Sequence, residues 1–263
     1  MSDTARRAAG RLAPVVALAA VLAVWQAAHA LHLSAALPSL GEVAGDLAGA
    51  ARDGTLLPSL GGSVLRTVVG FAASVAAGVP LGLACHRWTP VRVVCAPVLN
   101  ALQALPAAAL VPVATILLGG GSTAVYGVVL LGAVPSVAVG MLSAADQIPP
   151  LLRRAARTLG LTGARAAREV LLPAALPGVV AALRQGWTFG WRALMTAEVM
   201  NATPLTGIGS WLNRDKENGD IGGMLAAIAV VLAVGIAAES LVFRPIERRV
   251  LRARGLDAEQ SRP

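Results

Sequence analysis

The chain has 263 residues, of which 56% are hydrophobic and only 14% charged, and its mean hydropathy is +0.69. A soluble domain usually carries about 25% charged residues, so there is too little polar surface here to cover a water-soluble globule of this size. The net charge of +8 would suit nucleic acid, but arginines that hold cytoplasmic loops in place produce the same excess, and their positions decide between the two.

A helix rises about 1.5 Å per residue, so about 20 apolar residues are needed to cross a hydrocarbon core of about 30 Å. Six stretches meet this, approximately Leu12 to Leu31, Thr67 to Cys85, Val93 to Leu118, Ser122 to Ala145, Ala174 to Ala197 and Ile221 to Phe243. The fold class predicted is all-α, a polytopic membrane protein of about six transmembrane helices. A tail over 1–11 precedes the membrane domain of 12–243, and a second tail covers 244–263.

Arg6, Arg7 and Arg11 precede the first stretch, and Ala28-His29-Ala30 resembles a cleavage site. A signal core is only about 7 to 15 residues long, which favours a retained spanning helix. The segment from Ser34 to Gly62, with Pro38 and Pro58, reads as an external section containing a short surface helix. Pro97, Pro106 and Pro112 in the third stretch and Pro135 in the fourth each remove a helix hydrogen bond and predict kinks. Asn100 and Gln103 lie one turn apart in the third stretch. Gly119-Gly120-Gly121 predicts a tight external turn.

Between the fourth and fifth stretches runs the long loop 146–173. Pro149 and Pro150 suit a helix start, and Leu151, Leu152, Ala155, Ala156 and Leu159 recur at helical spacing, with Arg153, Arg154 and Arg157 on the other face. Gly160 is placed to end this helix in a left-handed turn, and Thr162 to cap a second helix running toward Leu172 before Pro173. The loop holds five arginines, three more precede the first span, Arg87 and Arg92 separate the second and third, and six follow Phe243. With the N-terminus inside, all of these lie on the cytoplasmic side, whereas Arg52, Arg66, Arg214 and Lys216 lie outside. Both termini are therefore expected in the cytoplasm. The pattern accounts for the basic charge without nucleic acid.

Ionisable side chains within spans usually face a bundle interior or a water-filled path. Arg184, Arg192 and Glu198 belong to the fifth span, and Glu239 of the sixth is a candidate partner for Arg184. Arg192 stands beside Trp187, Thr188 and Trp191. Two readings are open: an anion-attracting group in the outer half of a conduit, or an interfacial arginine among belt tryptophans. The candidate substrate path is Arg192, Trp187, Thr188, Glu198 and Gln103.

Catalytic signatures are missing. The single lysine, Lys216, has no phosphate-binding glycine loop around it, so the chain cannot be its own conventional ATPase. No His/Cys cluster has metal spacing, and Cys85 and Cys95 read as reduced and structural. No cofactor is expected on this chain.

The loop helix, glycine turn and following helix resemble the signature of binding-protein-dependent ABC importer permeases, E-A-A-x3-G-x9-I-x-L-P. It stands here as Arg154-Ala155-Ala156, Gly160, Val170 and Leu172-Pro173, with every spacing preserved and Arg and Val as departures. The strings LPSLGEV, SVLRTVVGFAASVAAGVPLGLA, LQALPAAALVPVATILLGGG, LRQGWTFGWRALMTAEVM and FRPIERRVLRARGL are similar to the branch that imports nitrate, taurine or aliphatic sulfonates. The resemblance implies a prokaryotic plasma-membrane permease whose loop seats in cytoplasmic ATPase subunits. It further implies a second permease copy and an extracytoplasmic binding protein that delivers a small anion. A secondary transporter or a non-catalytic membrane scaffold is the alternative. The former should show internal repeats and titratable mid-membrane coupling residues, neither of which is evident beyond Arg184 and Arg192.

Overall fold

The computed structural model describes residues 3–34, 36–200 and 205–252, and the surroundings of side chains from residue 16 onward. All regular structure among them is helical. Helix α1 spans Asp3–Ala30, α2 Leu40–Arg52, α3 Leu56–Arg87, α4 Thr89–Ala104, α5 Ala107–Leu118 and α6 Ser122–Asp146. Next come α7 (Pro150–Thr158), α8 (Gly163–Ala166), α9 (Leu172–Met200), α10 (Ile208–Asn218), α11 (Ile221–Ala237) and α12 (Arg244–Arg252). A π-turn, Ala167–Leu171, fuses α8 to α9, and another, Ala238–Phe243, fuses α11 to α12.

Four continuous helices are long and apolar enough to cross a membrane: Leu56–Arg87, Ser122–Asp146, Gly163–Met200 and Ile221–Arg252. The apolar part of α1, Val16–Ala30, is shorter. The predicted third span is not one helix. It breaks into α4 and α5, which meet at 107°. Of the four prolines expected to kink spans, only Pro106 ends a helix, because the residue before a proline is pushed out of the helical region; Leu105 is extended at φ −71°, ψ 132°. Pro97, Pro112 and Pro135 stay inside their helices.

Helix α6 is the hub, packed most extensively against α9 and α3. Small residues make this approach close. The buried row of α3 is Ser59, Ser63, Thr67, Gly70, Ser74, Gly78, Gly82 and Cys85, which repeats at three- and four-residue steps and so lines one helix face. A Cβ added to Gly82 would fall 2.4 Å from the carbonyl oxygen of Ala138, and one on Gly140 of α6 2.6 Å from the Cβ of Ala182 on α9. Without hydrophobic drive between helices in lipid, such contact supplies much of the packing energy.

The external section contains the expected surface helix, α2. Ser39 and Glu42 form a capping box: the Glu42 N–H donates to Ser39 Oγ at 3.1 Å, and the Ser39 N–H to Glu42 Oε2 at 2.7 Å. That backbone donor, with the Ser39 hydroxyl, holds the Glu42 carboxyl below its ordinary range. On α2's inner side, burial raises the Asp46 carboxyl, helped by Asp220, Glu42 and Asp215. Gly119 and Gly121 take φ of +79° and +82° in the turn joining α5 to α6.

Helix α3 starts at Leu56, eleven residues ahead of the expected Thr67, so Arg66 lies on a helix and not in a loop. The helix expected to stop before Pro173 instead runs on, so that Gly163–Met200 is one continuous element. Both π-turns end two residues before a proline, Pro173 and Pro245. A proline lacks an N–H and its ring crowds the carbonyl four residues back, and a wider turn at that place lets the helix pass it. The tail 253–263 and the side chains of Arg6, Arg7 and Arg11 lie outside the described residues.

Candidate functional site

The sharp turn between α4 and α5 opens a cleft of about 480 Å³ against α9. Gln103, Leu105 and Pro106 form one wall, and Phe189, Arg192 and Thr196 of α9 the other. On α9, Arg184, Thr188, Arg192 and Thr196 follow at four-residue intervals, a row that drifts slowly around the helix. Thr188 and Thr196 donate to the carbonyls of Arg184 and Arg192 at 3.0 and 2.9 Å. Arg192 is exposed and forms no ion pair among the described residues; its guanidinium carbon lies 5.9 Å from the Phe189 ring centroid.

The structure thus brings Gln103 and Arg192 together and puts Thr188 one turn away, while the other two candidates face elsewhere. Trp187 meets the Phe71 ring edge-on at 5.6 Å and the tilted Phe243 ring at 6.4 Å. Trp191, 7% exposed, belongs to the core with Ile208 and Trp211 and is no interfacial tryptophan. Glu198 is buried, its side chain 0% exposed, and faces α3. Its Oε1 accepts from Arg66 Nη1 at 2.7 Å, and its Oε2 accepts from Ser63 Oγ at 2.7 Å and from the Gly209 N–H at 3.0 Å. Ser63 in turn accepts the Ile208 N–H at 2.8 Å, and Arg66 also donates to the Thr206 carbonyl at 2.9 Å. This network ties α3, the end of α9 and the start of α10 into one joint. The sequence reading did not pair Arg66 with Glu198, although opposite charges at the ends of two apolar runs carry that signal. Arg184 does meet Glu239, at 2.5 Å, in a pair that is partly exposed rather than buried.

In the loop, α7 ends at Thr158 and Gly160 is left-handed at φ +72°. The Gly160 N–H donates to the Arg157 carbonyl at 3.0 Å and the Leu161 N–H to the Ala156 carbonyl at 2.9 Å, the paired closure of a Schellman turn. Thr162 is extended and makes no side-chain cap; Gly163, at φ +57°, opens the next helix. The expected single apolar face of α7 is split. Ala156 is buried and Leu152 is 36% exposed, whereas Leu151 and Leu159 are 72% and 74% exposed and Ala155 is exposed with them. Arg154 is exposed, Arg153 turns inward, and Val170, Leu172 and Pro173 follow on the π-turn and the start of α9, with Leu172 exposed.

A family model described as the binding-protein-dependent transport system inner membrane component matches residues 74–252. The taurine transport system permease protein of Escherichia coli (strain K12) is 31% identical over 198 residues, which is 75% of this chain and 71% of the relative. A Bacillus subtilis (strain 168) protein, provisionally named an aliphatic sulfonates transport permease protein, is 25% identical over 247 residues, 93% of this chain and 87% of that one. A chain of the MetNI methionine ABC transporter, solved in inward-facing conformations, has a TM-score of 0.62 at 21% identity and covers 74% of this chain and 96% of its own length, a likeness of fold. An all-helical bundle with several membrane-length helices, a split span and a loop helix closed by Gly160 is the body of such a component. The chain belongs to the binding-protein-dependent transport system inner membrane components, and it is a membrane-spanning permease subunit of an ATP-driven importer.

Proposed function

We propose that this permease imports a small anion, with taurine, aliphatic sulfonates and nitrate as the candidate substrates, through a path that two copies of the chain build between them. The observation that carries it is Arg192: a permanent cation without an acidic partner among the described residues, set beside Gln103 and Thr196 in a cleft large enough for a small anion. Guanidinium meets an oxyanion with paired hydrogen bonds, and amide and hydroxyl donors complete its coordination. The row from Thr188 to Thr196 is exposed to partly exposed on one chain, as a wall facing a second copy would be. Relatives named for taurine and aliphatic sulfonates support the substrate class. Growth of a deletion strain on single sulfur or nitrogen sources tests it. Loss of growth on a sulfonate, restored by the gene in trans, is the expected result, and unchanged growth on sulfonates and nitrate alike would remove the assignment.

In this reading a separate ATPase subunit seats on α7, whose outward Leu151, Ala155 and Leu159 form its contact row, and a binding protein docks on the opposite side. Both termini then lie in the cytoplasm. Reporter fusions after Arg157 and within the C-terminal segment at Leu251 are expected to read cytoplasmic, and fusions near Gly49 and Gly219 external. An external signal at Arg157 would separate α7 from any ATPase. Gly160→Val should strain the turn by about 1–2 kcal/mol and tilt α7. Substrate-stimulated ATP hydrolysis by the complex is expected to fall, and undiminished stimulation would show that the turn transmits nothing.

A further inference from the structure

Four charged or titratable side chains outside the cleft meet under the bundle, each from a different helix. His86 lies at the end of α3, Arg92 in the first turn of α4, Asp146 at the end of α6 and Arg153 in the first turn of α7. Asp146 is the hub: its Oδ1 lies 2.7 Å from His86 Nδ1, and its Oδ2 2.8 Å from Arg92 Nη2. On the far side of the imidazole, Arg153 Nη2 lies 3.4 Å from His86 Nε2 and donates to the Ala145 carbonyl at 3.0 Å. The Arg153 Nε is buried without a hydrogen-bond partner among the described residues.

The donor rules fix the proton. Arginine only donates, so His86 Nε2 must offer a lone pair to Arg153, and Nδ1 must carry the hydrogen that goes to Asp146. Neutral imidazole in this tautomer satisfies both sides at once. An imidazolium has N–H groups at both nitrogens, so the second would face the Arg153 guanidinium, donor against donor and cation against cation. The charged groups around the ring are Asp146 from α6, Arg153 from α7 and, across Asp146, Arg92 from α4, with Arg87 next on its own helix. Apolar contact cannot replace the arginine's hold, since Ala156 is the one buried residue of α7 and Leu151 and Leu159 point away from the bundle.

We propose that Arg153 is the positioning residue that clamps α7 to the ends of α3 and α6, and that His86 makes the clamp loosen on acidification of the side on which α7 lies. Its bearing on transport rests on the reading of α7 as the ATPase contact. The clamp itself is tested on the permease alone in lipid nanodiscs, by hydrogen exchange of the α7 amides normalised to their unstructured rates at about pH 8 and pH 6. Wild-type protection of residues 152–158 is expected to fall several-fold between the two. His86→Gln should hold it equal at both, because a glutamine side-chain oxygen accepts from Arg153 at either pH. Arg153→Gln should lose it at both, with α6 unchanged, and Arg153→Lys should regain part, reaching one acceptor of the two. Wild-type protection in Arg153→Gln, or an undiminished pH response in His86→Gln, would overturn the proposal. Uptake per ATP hydrolysed by the full complex should follow the same order of variants. Exchange that behaves as described beside an unvarying uptake ratio would confirm the clamp and unseat α7 as the ATPase contact.

Discussion

Replacing Arg192 by glutamine is expected to lower uptake of the anionic substrate several-fold while leaving the amount of protein in the membrane unchanged. The side chain has no ion-pair partner among the described residues and lies exposed at the cleft, so its removal leaves no buried charge uncompensated there. What disappears is the permanent positive charge that draws an anion into a confined space. Arg192→Lys separates charge from geometry, because an ammonium is a point charge without the planar fork, and it should keep part of the activity. An arginine that merely sat at lipid headgroups would behave otherwise, with lysine fully equivalent and glutamine nearly silent. Uptake must be read beside abundance. Wild-type transport by the glutamine variant at equal abundance would take Arg192 out of the path.

The opposite pattern is expected at Glu198. Glu198→Ala should destabilise the bundle by about 3–5 kcal/mol, seen as lost abundance and a lowered melting temperature in detergent, because Arg66 is left nearly buried and unpaired. Ser63 Oγ and the Gly209 N–H would also lose their acceptor. Glu198→Gln keeps an acceptor for them and should be milder. An apolar pair in place of both charges, Arg66→Met with Glu198→Leu, should recover stability relative to Glu198→Ala only if the space admits leucine. A Cβ added to Gly207 or Gly209 would fall about 2.5 Å from Glu198 atoms, so Glu198 lies close against glycine backbone that a branched side chain would press on. Unchanged melting of Glu198→Ala would mean that the joint is not structural.

Local chemistry made part of this architecture legible. Gly160 is left-handed because a helix must end before the loop can turn, and Ser39 with Glu42 caps α2 by a pattern confined to four residues. The cleft could not be read in the same way. Three prolines interrupt one apolar run, and their count says nothing about which breaks the helix; Pro97 and Pro112 stay inside their helices and Pro106 does not. Arg66 and Glu198 are 132 residues apart, and their pairing depends on how α3 and α9 dock across α6. The clamp around Asp146 was hidden for a further reason. Helical periodicity places Arg153 with Arg154 and Arg157, whereas its long side chain reaches back under α6 to a carbonyl and an imidazole.

The two π-turns bear on phase. A turn of this kind holds one residue more than the α-helix around it, so every side chain beyond it is rotated by about 100° from where an unbroken helix would carry it. The face that α9 shows to the cleft and the face that α8 shows to the loop are therefore set independently, with Ala167–Leu171 as the offset between them. Deleting one residue there, Ala167 for example, would restore a regular helix and leave the composition of both faces intact. It would leave the loop at the same rotation relative to Arg192, whereas the same deletion in the regular helix on either side would turn it by about 100°. A one-residue deletion in this turn should thus be far better tolerated than one elsewhere in the helix, since the turn absorbs a residue without rotating its flanks.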